Sequence, residues 1–129
     1  MENRGALSYR DLDVYQTSHA LALKVHRATL SQLPKFEMFE EGSQVRRAAK
    51  SVVANIVEGF GRRRYKADFL RFLVIAHASC DETVAHLRLL SESGSLPAQP
   101  AEELLLAYTG LSRQLNAFVR SVEREHQTP

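Results

Sequence analysis

Apolar residues return every three or four positions over most of this chain, and they do so in four separate runs. Val14, Ser18, Leu21, Val25 and Ala28 form the first stripe, which predicts a helix over about 11–33 that stops before Pro34. Leu12, Tyr15, Leu23 and Leu30 fall beside that stripe and predict a second apolar face that a partner subunit would cover. Residues 34–42 lack periodicity and read as a connection, with Ser43 placed to cap the next helix. That helix, over about 44–60, turns Val45, Ala49, Val52, Ile56 and Phe60 inward, while Ala48 and Ala54 admit a close neighbour. Gly59 and Gly61 are expected to end it through left-handed backbone angles. A third helix over about 66–93 carries Phe69, Phe72, Ala76, Cys80, Thr83, Leu87 and Leu90 inside, with Gly94 as its stop. A fourth, over about 100–124, has Pro100 in its first turn, a stripe of Leu104, Tyr108, Leu111, Leu115, Phe118 and Val122, and a polar tail after it.

No segment alternates apolar and polar residues as a half-buried strand does. Helices joined by short turns favour antiparallel neighbours, so the expected fold is all-α, an up-down-up-down antiparallel four-helix bundle forming one domain over residues 1–129. A chain of 129 residues supports one core, and 44% hydrophobic with 25% charged residues is the balance of a globular protein. The N-terminal residues lack the apolar stretch of a signal peptide, and no run reaches the 18 or so residues of a membrane span, so a soluble, cytoplasmic protein without membrane association is expected.

Candidate chemistry is sparse. Cys80 is the sole cysteine, which excludes an intrachain disulfide and a cysteine-based zinc site. His19 and His26 are seven apart and His77 and His86 nine apart, unlike helical metal ligands, so no metal or cofactor is expected. No serine sits in Gly-x-Ser-x-Gly, and Gly59-Phe-Gly61 follows a helix rather than a strand, which removes the nucleotide-loop reading. An enzyme is not expected.

Charge is more informative. Between residues 46 and 71 eight cations face two acids, a net +6, so the rest of a chain of net charge +2 sums to −4. Arg62, Arg63, Arg64, Tyr65 and Lys66 fall at the turn between the second and third helices, where cations can reach phosphates and an aromatic ring can stack on a base. The same residues also suit a solvated turn whose cations offset the partial charge at a helix C-terminus. Arg46, Arg47 and Lys50 lie roughly 24 Å away along the helix. They are candidates for phosphate contact or, in an antiparallel pairing, for ion pairs with Asp81 and Glu82. Asn55 and Glu58 occupy the last turns of the second helix. Glu58 is expected to pair with Arg71 while Asn55 bonds across the turn, although an amide and a carboxylate also resemble half of an acid–base site.

Tyr9-Arg-Asp-Leu-Asp-Val-Tyr-Gln16, Gln44-Val-Arg-Arg-Ala-Ala and Asn55-Ile-Val-Glu-Gly-Phe-Gly-Arg62 together resemble the 23S rRNA intervening-sequence protein family, with further matches at Phe69-Leu-Arg-Phe-Leu73, Ile75-Ala76, Ser79 and Leu115-Asn116. The resemblance spans about residues 8–122. It implies a four-helix bundle assembling as a ring-like homopentamer, encoded in some bacteria within insertions of the large ribosomal RNA gene. Kinship with the Avd accessory proteins of diversity-generating retroelements implies nucleic-acid binding through a basic surface, or docking on a protein partner such as a reverse transcriptase. Arg46, Arg47, Lys50, Arg62, Arg63, Arg64 and Lys66 are then the expected phosphate contacts and Tyr65 the stacking residue.

Overall fold

The structure is a computed structural model that describes residues 5–126; the polar ends at 1–4 and 127–129 lie outside the described residues. A 3-10 turn at Tyr9–Asp11 leads into α1 (Asp13–Ser31), a single turn α2 (Lys35–Met38), and three long helices, α3 (Glu41–Gly61), α4 (Lys66–Glu92) and α5 (Ala98–Glu125). Connections of a few residues force sequence neighbours to run antiparallel. Cross-links confirm the direction, because partners climb one helix as they descend the next. Ser51 Oγ meets Ser79 Oγ at 2.8 Å and Glu41 meets His86 between α3 and α4. Cys80 Sγ reaches Tyr108 O at 3.6 Å and His77 Nε2 reaches Ser112 Oγ at 2.9 Å between α4 and α5. α1 closes the square against α3 and α5, so α1 and α4 stand at opposite corners of a four-helix bundle.

The core is the meeting of four stripes. On α1, Val14, Ser18, Leu21, Val25 and Ala28 are all buried, as their spacing predicts. On α3 the buried set is Gly42, Val45, Ala48, Ala49, Val52, Ile56, Gly59 and Phe60. α4 keeps strict four-three spacing through Phe69, Leu73, Ala76, Cys80, Thr83, Leu87 and Leu90. Leu73 therefore takes the inner position expected for Phe72, which is only half-buried. On α5, Leu104, Tyr108, Leu111, Leu115 and Val122 are buried, with Phe118 partly covered at the edge.

Several local expectations are revised. Leu12 belongs to the core at 1% exposure rather than to an outer face, whereas Leu23 and Leu30 remain exposed. α3 starts two residues before Ser43, with Glu40 at the N-cap and no side-chain cap. Gly42 in its first turn permits a close approach, since a Cβ there would stand 2.8 Å from Glu37 O and 3.0 Å from Leu33 Cδ1. Gly59 and Gly61 do not take left-handed angles, the positive-φ glycines being Gly5 and Gly94. α3 ends instead by tightening: Arg62 N–H donates to the carbonyls of Glu58 and Gly59, and Arg63 N–H to that of Phe60. What Gly59 supplies is a close approach, since a Cβ there would stand 3.1 Å from Phe72 Cβ and 3.3 Å from Phe69 O. Ala54 faces solvent, so of the two alanines only Ala48 is packed. Gly94, at φ +83°, does terminate α4 as its position predicts.

Tyr108 is fully buried, and its hydroxyl has no hydrogen-bond partner among the described residues. A buried hydroxyl without a partner carries its desolvation cost uncompensated. Burial likewise pushes the Cys80 thiol up to about 12, which keeps it protonated and unreactive in the folded protein. Tyr108→Phe is expected to raise stability by about 1 kcal/mol, read as an increase of about 4 °C in Tm. A fall in Tm would show that the hydroxyl is satisfied by a buried water.

Candidate nucleic-acid interface

The basic turn sits where α3 hands over to α4, and most of its cations are already employed. Arg62 Nε donates to Glu58 Oε2 at 2.8 Å, its Nη1 lies 3.6 Å from Asp68 Oδ2, and its guanidinium covers the Phe72 ring at 5.0 Å. The Glu58 hydrogen bond, more than the nearby charges, raises the Arg62 pKa above its ordinary value. Arg63 Nη1 donates to Phe60 O at 3.0 Å while its guanidinium stacks 4.0 Å over the Phe60 ring, so this side chain completes the C-terminus of α3. Lys66 Nζ donates to Glu123 O at 2.7 Å and ties the start of α4 to the last turns of α5.

Arg64 and Tyr65 differ. Both are exposed, Tyr65 by 55%, and the Arg64 guanidinium rests 5.8 Å over the Tyr65 ring. No carboxylate among the described residues pairs with Arg64. The turn thus presents one uncompensated guanidinium and one open aromatic face on a support fixed by Arg62, Arg63 and Lys66.

Glu58 pairs with Arg62 rather than Arg71, because the helix places them one turn apart, and Arg71 Nη2 lies 3.6 Å from Asp68 Oδ1 instead. Asn55 does not bond across the turn: its Nδ2 donates back to Ser51 O at 2.8 Å and to Ser51 Oγ at 3.1 Å. That bond orients Ser51 toward Ser79, a polar rung between α3 and α4 that α-helical stripes of apolar residues do not reveal.

The second basic group also divides. Arg46 Nη1 donates to Thr29 Oγ1 at 3.0 Å and Nη2 to Met38 O at 2.7 Å, clamping α2 between the end of α1 and the start of α3. No described ion pair links it, Arg47 or Lys50 to Asp81 or Glu82; those acids face His77 and His86 on their own helix. Arg47 and Lys50 are exposed on α3. Arg46→Ala is expected to cost about 1.5–3 kcal/mol, the range for hydrogen bonds from a charged donor. Urea unfolding with an unchanged slope would check it.

The fold is an all-α, antiparallel four-helix bundle whose α3–α4 turn exposes Arg64 and Tyr65. Residues 10–117 match the 23S rRNA-intervening sequence protein family, and the chain belongs to it. Among solved structures, the chain is similar to a Bacteroides thetaiotaomicron protein of unknown function from the S23 ribosomal protein family, with TM-score 0.76 and 23% identity over 83% of this chain and 95% of that one. At that identity the likeness shows the fold. No curated protein matches the chain. Among the described residues, no helix is long and apolar enough to cross a membrane.

Proposed function

We propose that this chain is a non-enzymatic, oligomeric RNA-binding scaffold, with Arg64 and Tyr65 at its centre and Arg47 and Lys50 as a second cluster that oligomerisation brings into line with the first. The observation that carries this reading is the Arg64–Tyr65 pair: a cation without a described carboxylate beside an open aromatic ring, held on a turn whose other cations are occupied. Cations of that kind release counterions when they meet phosphate, and an open ring stacks on any base. Membership of a family named for 23S rRNA intervening sequences supports RNA as the partner.

Oligomerisation is supported by where apolar surface remains. Leu23 and Leu30 are exposed on α1, while Val74, Ile75 and Leu89 are exposed on α4 at the opposite corner. Two different apolar faces on one chain suit head-to-tail contacts, which close into a ring when the rotation permits. The family resemblance supports a homopentamer as the form of that ring. Binding of the purified chain to structured RNA, duplex DNA and single strands at low and physiological salt, with mass in solution recorded alongside, tests both parts. Salt-sensitive RNA binding by an oligomer is expected; no binding at physiological salt removes the RNA reading.

A second reading, an adaptor docking on a protein, is favoured by Phe36 in α2 and Phe39 at its C-terminal cap, which are 70% and 82% exposed. Pull-down after nuclease treatment separates the two, because a protein partner survives it and an RNA-bridged one does not.

A further inference from the structure

The outward face of α5 carries a line of cations that the packing leaves without partners. Its buried stripe, Leu104, Tyr108, Leu111, Leu115 and Val122, fixes the phase of the helix. At about 100° per residue the opposite face runs through Leu106, Arg113, Ala117, Arg120 and Arg124, and every one of these is exposed. Arg113, Arg120 and Arg124 make no hydrogen bond, ion pair or ring contact with a described residue. Between Leu106 and Arg124 no acid stands on the line, since Glu123 and Glu125 lie about 100° round the helix to either side of Arg124. The stretch from Arg113 to Arg124 rises about 16 Å, enough to pass several phosphates of one nucleic-acid strand.

The line ends at the basic turn. Lys66 Nζ donates to Glu123 O at 2.7 Å and His126 Nε2 donates to Arg63 O, so the segment that holds Arg64 and Tyr65 is tied on both sides to the last turns of α5. Its place in the square also keeps the line open. α3 and α5 stand at opposite corners, while the exposed apolar faces are on α1 and α4, so subunits that meet through those faces leave the outer side of α5 to solvent. We propose that Arg113, Arg120 and Arg124 form a track for the RNA backbone, with successive phosphates laid along α5 and the strand continuing onto Arg64 at the turn. This rests on the RNA-binding reading above and adds the path of the strand. A row of guanidinium groups with no aromatic ring among them meets phosphates and does not read bases, so the track serves RNA of any sequence.

The test uses the whole chain and two structured RNAs of unrelated sequence, with affinity read by fluorescence anisotropy across a salt series. Two triple variants are compared with the native protein. One is Arg113→Gln, Arg120→Gln and Arg124→Gln; the other, Arg27→Gln, Lys35→Gln and Arg88→Gln, removes as much charge toward the far end of the bundle. Glutamine has nearly the helix propensity of arginine and lysine, and circular dichroism, Tm and mass in solution check that fold and assembly persist. The α5 variant should bind both RNAs on the order of a hundredfold more weakly at low salt, with a salt dependence flatter by about two to three units, while the far-end variant keeps the native slope. An α5 variant with native affinity and slope would overturn the track and leave the turn standing as the contact. Equal losses in the two variants would overturn it as well, because total charge and not its place on α5 would then set affinity. Absence of RNA binding by the native chain at physiological salt would overturn both the track and the reading on which it rests.

Discussion

Leu73→Ala is expected to lower the unfolding free energy by about 2–5 kcal/mol, and Phe72→Ala, although it removes a larger side chain, by about 1–2 kcal/mol. Leu73 is wholly buried on the inner face of α4, so truncation leaves a cavity that neighbouring helices can only partly close. Phe72 is half-buried, against Gly59 on one side and beneath the guanidinium groups of Arg62 and Arg71 at 5.0 and 4.8 Å on the other. Its loss opens a space that water can enter and removes two exposed cation–ring contacts, each worth about 0.5–1 kcal/mol at such sites. Denaturant titration of the two variants side by side decides the matter. A larger loss for Phe72→Ala would mean that Phe72, and not Leu73, is the inner residue of α4.

Reversing Arg47, Lys50 and Arg64 together to glutamate is expected to weaken RNA binding on the order of a hundredfold at low salt and to flatten its salt dependence by about two to three units. These three side chains are exposed and make no hydrogen bond or ion pair with a described residue, so the fold should survive the change. Arg62→Glu and Arg63→Glu are poor substitutes. The first sets a carboxylate beside Glu58 and Asp68, and the second removes the bond to Phe60 O and the stack on its ring. Lost binding in either would report a damaged turn as readily as a lost phosphate contact. Unchanged affinity in the folded triple variant would sink the assignment.

The bundle was legible because its stripes are regular: every inward position expected on α1 is buried, and the same holds for Val45, Ala49, Val52, Ile56 and Phe60 on α3. Where the reading slipped, size was allowed to outweigh phase, as when bulky Phe72 displaced Leu73 although only Leu73 continues the four-three spacing. Leu12 escaped for another reason. It precedes the helix and is packed by chain direction at the bundle end, which periodicity does not describe.

The candidate site was legible as composition and not as division of labour. Arg62, Arg63, Arg64 and Lys66 are alike in sequence, yet their partners are a carboxylate one turn back, a carbonyl at a helix end, an adjacent ring and a carbonyl on another helix. Arg46 answers to Met38 O, a backbone atom in a segment without periodicity.

The connection over residues 62–65 is among the shortest in the bundle, and it joins the pair of helices with the most extensive mutual packing. Closing so short a loop carries little entropic cost, so the α3–α4 hairpin is the cheapest long-range structure for the unfolded chain to assemble. Mutations such as Ile56→Val or Leu73→Val should therefore slow folding more than they speed unfolding. The basic turn proposed to meet RNA is then in place before the bundle is complete, and a chain still emerging from synthesis would already carry it.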